Sequence, residues 1–236
     1  DPLTDQHFGG NFLAHRDSLD PEDGYAGVVR DLSIDFLRYP GGSVAEHCFC
    51  IYNPDRTTVI DDRTGEERDF VCISEFSGFV DETAIAATLT LPTCAQLSTR
   101  TDSNGDRFAD VDEDVLRAFV RNALIGDFAM TRLKAFELGN EYWGSGGMSA
   151  VEYGRVASTM AQIIDDEIAI LERALPGLGT PKIFVQNGTN FGASSLDEHY
   201  DGTADSIVAR INADYGMSFG NEVIRGNGTV NWTLVN

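Results

Sequence analysis

Short apolar runs recur along the chain, and a polar or glycine-rich turn follows each of them. Six runs have the length of a β-strand, at residues 8–13, 34–39, 86–91, 133–138, 183–186 and 230–235. They start 26 to 52 residues apart, which leaves room for a helix between most successive runs. This spacing is typical of β-α units in a parallel sheet, because parallel neighbours need a crossover connection. The pattern therefore predicts six strands.

Helical periodicity fills the intervals between the runs. The longest predicted helix starts at a capping box, Ser149 to Glu152, in which two side chains satisfy free amides of the first turn, and it stops at Leu-Pro-Gly in residues 175–177. A second helix is predicted from the N-cap Asp112 to near Gly126. Weaker helical patterns cover residues 25–32, 74–83 and 204–212.

Repeated β-α units fit either a doubly wound sheet or a TIM barrel. The chain has no GxGxxG after its first strand and no GxxxxGK[ST] motif, so the usual reason to prefer a nucleotide-binding doubly wound fold is missing. Polar and glycine residues cluster just past strand ends, where a barrel carries its chemistry, at residues 15–17, 40–43, 139–141 and 187–190. We predict one α/β domain over residues 1–236, an incomplete (β/α)8 TIM barrel with about six of the eight β-α units.

The composition limits the classes of partner. The chain has 236 residues, with 17 Lys and Arg against 38 Asp and Glu, and a formal net charge of −21. Binding to nucleic acid depends on clustered basic side chains, so nucleic acid is excluded as an expected partner. No apolar run approaches the roughly 18 residues of a membrane span. With 42% hydrophobic residues the chain can bury a core, and we expect a globular monomer that binds no membrane.

The most informative segment is Phe-Glu-Leu-Gly-Asn-Glu-Tyr-Trp at residues 136–143, an apolar strand that ends in an amide, a carboxyl and two aromatic rings. It resembles the fourth strand of clan A glycoside hydrolases, retaining TIM-barrel enzymes in which this strand ends in Asn-Glu. The resemblance implies that Glu141 is the general acid/base and that Asn140 holds the sugar 2-hydroxyl. An acid/base suits an aromatic rim, which Tyr142 and Trp143 would supply while stacking on the sugar. A solvated loop acid is the alternative for this glutamate.

Two further segments carry the resemblance. Residues 36–42, Phe-Leu-Arg-Tyr-Pro-Gly-Gly, are similar to the second strand end of the arabinofuranosidase, xylosidase and heparanase-like branches. This implies that Arg38 supports the nucleophilic carboxylate, with an ordinary salt bridge as the alternative. Residues 8–12 are similar to the first strand of these branches, and His15 near its rim is a candidate sugar contact. Glu137 faces the same way as the proposed acid/base, and inside a barrel it must be paired, so we expect a structural role for it.

Other polar clusters have plainer explanations. Residues 102–106 lack the spacing of an EF-type calcium loop and are predicted to form a polar turn, and residues 61–66 are predicted as a hairpin tip within the insertion 48–71. The second Asn-Glu pair, at residues 221–222, is predicted to be loop, and residues 197–200 a solvated surface.

The chemistry of the cysteines and of metals stays open. Cys48, Cys50, Cys72 and Cys94 allow three disulfide pairings, and the Cys-Phe-Cys spacing is no zinc signature. We expect no cofactor. The overall appearance of this acidic, lysine-poor sequence is similar to the N-terminal parts of secreted bacterial proteins that carry calcium-binding repeats. This resemblance implies structural calcium as a possible companion of the fold.

A retaining enzyme needs a second carboxylate about 5 to 5.5 Å from the acid/base, and clan A supplies it from strand seven. At the spacing seen here, that strand would begin beyond residue 236. The sequence therefore predicts part of a secreted bacterial glycosidase that acts on an oligo- or polysaccharide, lacks its nucleophile and is inactive alone. The alternatives are a non-catalytic carbohydrate-binding or adhesion module on a barrel, and an unrelated doubly wound enzyme. The sugar, its linkage and the exo or endo mode are not predicted.

Overall fold

The computed structural model describes residues 9–20 and 24–186, with a few isolated positions between 206 and 218. Several predicted features lie outside the described residues: the strand at 230–235, the polar groups at 187–190, 197–200 and 221–222, and much of the helix at 204–212. Within the described part of the chain, no helix is both long enough and apolar enough to cross a membrane.

Parallel strands form the centre of the fold. The described strands are β1 (Gly9–Asn11), β2 (Phe36–Tyr39), β3 (Thr58–Ile60), β4 (Glu67–Asp69), β5 (Ala86–Leu91), β6 (Leu97–Thr101), β7 (Arg107–Ala109), β8 (Leu133–Leu138) and β9 (Lys182–Phe184). Strands β1, β2, β5, β8 and β9 form one five-stranded sheet in which every neighbouring pair is parallel. Strands β3 and β4, and strands β6 and β7, form two separate antiparallel hairpins.

Helices occupy the connections of the sheet. Those whose bounds lie within the described residues are α1 (Gly24–Asp31), α2 (Val44–His47), α3 (Ile73–Thr83), α4 (Glu113–Ile125) and α5 (Ala150–Ala174). The capping predicted for the two best-defined helices, α4 and α5, is confirmed. Asp112 accepts a hydrogen bond from the amide of Val115 at 3.1 Å. Ser149 and Glu152 cap each other's amides at 3.1 and 3.0 Å, as the capping box predicts.

The order of strands in the sheet follows their order along the chain, β1-β2-β5-β8-β9. A doubly wound sheet reverses direction at a switch point, whereas a barrel adds each new strand on the same side of the last one. The described residues therefore hold five consecutive strands of an incomplete TIM barrel. The predicted α/β class is confirmed, and the doubly wound alternative does not fit this order.

The two faces of the sheet differ in chemistry. On the helix-facing side the core is apolar and aromatic, and Tyr39 stacks on Phe76 of α3 at a ring-centroid distance of 4.5 Å. Side chains alternate along each strand, so the residues between those of the apolar core point to the other face. There the register aligns Arg38 with Thr88 and Thr90 with Glu137. This polar face corresponds to the inside of the barrel.

The long insertion after α2 forms the predicted hairpin, with its tip between β3 and β4. Asp61 at the start of this tip is buried and accepts hydrogen bonds from Arg63. These bonds lower the pKa of the Asp61 carboxyl to about 2, against the opposing effect of burial. The backbone carbonyl of Ala14 accepts a hydrogen bond from the amide of Val71 at 2.7 Å, which ties the end of the insertion to the turn after β1.

Candidate functional site

Polar side chains from three strands meet at the carboxyl edge of the sheet. Arg38 of β2 lies at the centre, and its Nη2 donates to Glu137 Oε1 of β8 at 3.1 Å, while its Nε donates to the other carboxylate oxygen. The same Nη2 donates to Asn140 Oδ1 at 3.1 Å, and Nη1 donates to Asn11 Oδ1 at 3.2 Å. The guanidinium therefore orients an amide from each of two strand ends and neutralises one acid.

This pairing answers the question of how Glu137 tolerates its position. Both partners are partly buried, at 17% and 19% side-chain exposure, and the contact is a two-point, charge-assisted one. The expectation that Glu137 is paired is confirmed, with Arg38 as its partner, and its structural role stays a prediction. The role of Arg38 toward a nucleophilic carboxylate stays a prediction.

The chain makes a tight turn where β8 ends. Gly139 has φ +79°, and a Cβ built there would lie 2.6 Å from Thr93 Oγ1 and 2.8 Å from Glu46 Oε1, so only glycine fits. Glu141 also has a left-handed backbone, with φ +44°, which is unfavourable for a residue with a side chain. Its carbonyl accepts hydrogen bonds from the amides of Gly144 at 2.7 Å and Gly146 at 3.2 Å. The strained turn presents the exposed side chain of Glu141 at the rim.

A buried carboxylate forms hydrogen bonds with the backbone of this turn. Glu46 of α2 is 3% exposed. Its Oε1 accepts hydrogen bonds from the Asn140 amide at 2.9 Å and the Thr93 hydroxyl at 2.8 Å. Its Oε2 accepts from the amides of Thr93 at 2.8 Å and Cys94 at 2.9 Å. Sequence reasoning missed this residue, and its only signal was an acid inside the apolar stretch 44–49.

A side-chain amide holds the same turn from the next strand. Gln186, just past β9, donates from Nε2 to the Gly139 carbonyl at 2.8 Å, and its Oε1 accepts from the Tyr142 amide at 3.2 Å. The Tyr153 hydroxyl donates to the Leu138 carbonyl and accepts from the Gln186 amide, both at 2.8 Å. Gln186 was predicted only as the end of a strand, so its part in the site was missed as well.

The side chain of Asn140 is fixed at both ends of its amide. Oδ1 accepts from Arg38, and Nδ2 donates to Ser145 Oγ at 2.9 Å. Ser145 in turn donates to the Asn140 carbonyl at 2.5 Å. An amide nitrogen carries two hydrogens, so a fixed Nδ2 retains a second donor for a ligand hydroxyl.

The two aromatic residues after Glu141 have different environments. The predicted sugar contact of Tyr142 is wrong, because its side chain is 0% exposed and its ring stacks on Tyr153 at 4.5 Å. The left-handed backbone at Glu141 reverses the chain, which turns the next ring into the core. Trp143 is only partly buried, with its ring edge-on to Tyr142 at 5.0 Å. The sugar contact of Trp143 stays a prediction.

His15 lies in the turn after β1 and faces the β3–β4 hairpin. Burial lowers the pKa of its imidazole below 6.5, and the nearby positive charges of Arg68 and Arg16 lower it further. Its electrostatic neighbours are therefore residues of the hairpin and of its own turn. The structure does not bring His15 into the cluster around Arg38, and its sugar contact stays a prediction.

Residues 102–106 form the predicted polar turn. Asp102 Oδ1 accepts from the amides of Asn104 at 2.8 Å and Asp106 at 3.1 Å, and its Oδ2 accepts from Arg155 at 2.5 Å. Asp106 accepts from the Ser149 hydroxyl at 2.6 Å. Across the residues that the structure describes, no group of three or more His, Cys, Asp or Glu side chains could hold a metal ion.

The four cysteines are all free thiols. Burial raises the pKa of the Cys94 thiol to about 12, helped by the negative charge of Glu46. Cys48 is buried, whereas Cys94 is partly buried, and burial raises the pKa of the Cys48 thiol to about 11. Both thiols are therefore protonated and weakly nucleophilic at neutral pH.

No protein-family model and no curated protein sequence matches the chain. Two solved structures similar in fold are an α-L-arabinofuranosidase from Thermotoga maritima, determined as an arabinose complex, and the GH51 arabinofuranosidase from Xanthomonas axonopodis pv. citri. The first has a TM-score of 0.48 and 16% identity, covering 75% of this chain and 39% of the enzyme. The second has a TM-score of 0.45 and 12% identity, covering 87% of this chain and 50% of the enzyme. The chain thus spans half or less of the length of these two enzymes.

Proposed function

We propose that this chain forms part of the catalytic barrel of a retaining glycoside hydrolase, with Glu141 as the general acid/base. The observation that carries the proposal is an exposed glutamate in a strained left-handed turn, directly after an amide that Arg38 and Ser145 fix in place. Strain of this kind costs about 1–3 kcal/mol and concentrates at functional sites. A solvated loop acid needs none of this surrounding structure.

The proposed first step breaks the glycosidic bond. A carboxylate nucleophile attacks the anomeric carbon while Glu141 gives its proton to the departing glycosidic oxygen, so the leaving group departs as a neutral alcohol. Asn140 Nδ2 donates its remaining hydrogen to the sugar 2-hydroxyl, and Trp143 stacks on the sugar face. We propose that the nucleophile comes from outside the described residues and lies near Arg38, whose positive charge favours its ionised form.

The proposed second step restores the enzyme. Glu141, now ionised, takes a proton from a water molecule whose oxygen attacks the anomeric carbon. The bond between the sugar and the nucleophilic carboxylate breaks, and the electron pair returns to that carboxylate. The configuration at the anomeric carbon is retained, because two inversions have taken place. A β-linked uronide, xyloside or arabinoside fits this scheme equally well.

The experiment compares Glu141→Gln with Glu82→Gln in the full-length protein, using a panel of aryl glycosides. Both residues are exposed, but Glu82 lies at the end of α3, outside the cluster of site residues. We expect wild type and Glu82→Gln to cleave the same glycoside, and Glu141→Gln to lose about 10²- to 10⁴-fold in turnover, the usual contribution of general acid/base catalysis. The product anomer, read by NMR, tests retention.

Two outcomes would contradict the proposal. If Glu141→Gln cleaves as fast as the control, Glu141 is not the acid/base. If wild type cleaves no glycoside but binds sugars, the carbohydrate-binding module takes the place of the enzyme.

A further inference from the structure

Glu46 is a buried acid that the proposed reaction does not use. Its carboxylate is 3% exposed and accepts four hydrogen bonds, three from backbone amides and one from a hydroxyl. None of these four donors carries a charge. Burying a carboxyl group is costly unless its oxygens are hydrogen-bonded, and both oxygens of Glu46 have their donors here.

The donors come from two strand ends that are far apart in sequence. The amides of Thr93 and Cys94 follow β5, and the amide of Asn140 follows β8. Glu46 itself lies in α2, which follows β2, so one carboxylate joins three consecutive β-α loops. At the same point Gly139 leaves no room even for a methyl group against Glu46 Oε1. The carboxylate and the turn are therefore packed as one unit.

We propose that Glu46 is a positioning residue for Glu141. It fixes the backbone amide of Asn140, and this sets the direction in which the next residue leaves the sheet. The inference rests on the proposed glycosidase function and adds a residue to it. Displacements near 1 Å can cost about 10²-fold in rate, so an anchor one residue away from a proton donor matters to catalysis.

Glu46→Gln isolates the bond to Asn140. A glutamine has one oxygen acceptor and one NH₂ donor in place of two oxygens. If its NH₂ replaces Oε2, it faces two amide donors, those of Thr93 and Cys94. If it replaces Oε1, it faces one amide, that of Asn140, and the Thr93 hydroxyl, which can turn to accept. The second orientation is favoured, because the Asn140 amide is then the one donor that faces the NH₂ group and loses its acceptor.

Amide hydrogen exchange tests this local change without any activity. In Glu46→Gln we expect the amide of Asn140 to exchange at least about tenfold faster, while those of Thr93 and Cys94 stay protected, since only the first loses its acceptor. The matched control is Glu167→Gln. Glu167 is 1% exposed and pairs with Arg117 and Arg121 between α4 and α5, away from the turn. Equal exchange of all three amides in Glu46→Gln and the control would overturn the assignment.

The leaving group tests the catalytic part of the inference in the full-length protein. A dinitrophenyl leaving group departs without protonation, whereas an alkyl leaving group needs the proton from Glu141. We expect Glu46→Gln to lower kcat/KM about 10- to 100-fold for an alkyl glycoside and less than about threefold for the dinitrophenyl glycoside. Glu167→Gln is expected to change both substrates equally. Equal losses in Glu46→Gln would reduce Glu46 to a structural residue.

Two further results keep the inference falsifiable. If Glu46→Gln does not fold, Thr93→Val removes only the hydroxyl donor at Oε1, and we expect the same selectivity for the alkyl glycoside at about 3- to 10-fold. Absence of that selectivity would overturn the inference. An inactive wild-type protein would refute the proposed function, and with it the catalytic role of Glu46, even if the exchange of Asn140 changes as expected.

Discussion

Replacing Gly139 by alanine tests the packing of the turn against Glu46. Gly139 has φ +79°, and an added Cβ would lie 2.6 Å from Thr93 Oγ1 and 2.8 Å from Glu46 Oε1. Gly65 at the hairpin tip offers a matched control, because its φ is +72° and an added Cβ would meet nothing within 4 Å. The two substitutions share a backbone cost and differ in the contact.

The expected magnitudes follow from these geometries. Alanine in the left-handed region costs about 1–2 kcal/mol, and the stiffer unfolded chain returns about 0.4–1 kcal/mol in both variants. Gly139→Ala must also push the Thr93 hydroxyl away from the Glu46 carboxylate, and a hydrogen bond to a charged group is worth about 1.5–3 kcal/mol. We expect Gly65→Ala to lower the free energy of unfolding by about 1 kcal/mol and Gly139→Ala by about 2.5–4 kcal/mol.

Chemical unfolding followed by far-ultraviolet circular dichroism measures both values. The comparison requires equal m-values, since a change in m would mean that the unfolded or native state itself had changed. Surface substitutions usually change the free energy of unfolding by less than about 0.5 kcal/mol. If the losses in the two variants differ by no more than this amount, the turn and the Glu46 carboxylate are not tightly packed against each other, and the reasoning is refuted.

Three further predictions concern capping, pH and the central ion pair. Asp112→Ala removes the N-cap of α4 and should lower the free energy of unfolding by about 1 kcal/mol in thermal unfolding, whereas an unchanged midpoint would show that the cap contributes nothing. Because the folded protein lowers the pKa of His15, the unfolded state binds more protons near pH 6.5, and stability therefore rises with pH there. In His15→Asn the urea midpoint of unfolding should depend less on pH between pH 5 and 8, and an unchanged dependence would contradict this. Arg38→Lys loses the two-point contact with Glu137 and should lower the free energy of unfolding by about 2 kcal/mol. The exposed Arg173→Lys is the control and should leave this free energy unchanged, and equal losses in the two variants would contradict the prediction.

The features predicted correctly from the sequence are those with local causes. The ends of α5 follow from the capping box at Ser149 and from the proline and glycine after residue 174, all within a few residues of the helix. The parallel pairing of the central sheet follows from the regular alternation of strands and helices, because parallel neighbours need a crossover connection. The preference for a barrel over a doubly wound sheet came from the polar residues past the strand ends and from the missing nucleotide-binding motifs, and the strand order then agreed with it.

The features that were missed depend on contacts between distant residues. The bond between Glu46 and the Asn140 amide joins positions 94 residues apart, and the bond between Gln186 and the Gly139 carbonyl joins positions 47 apart. No local pattern marks either pair. The error at Tyr142 has another cause, because a left-handed backbone at a residue such as Glu141 is not favoured by its own side chain. The surrounding bonds impose it.

The strand order has a consequence for how the protein forms during synthesis. Among the described strands of the central sheet, each strand pairs with the sheet strand that comes before it along the chain. Examples are the pairing of Arg38 with Thr88 and of Phe136 with Ile183. A chain that leaves the ribosome from its N-terminus therefore presents a completed neighbour to each new strand. Glu46 is synthesised first, the amides after β5 follow, and the amide of Asn140 is the last of these donors to be made. The acceptor that holds this turn is therefore present in the nascent chain before any of its donors.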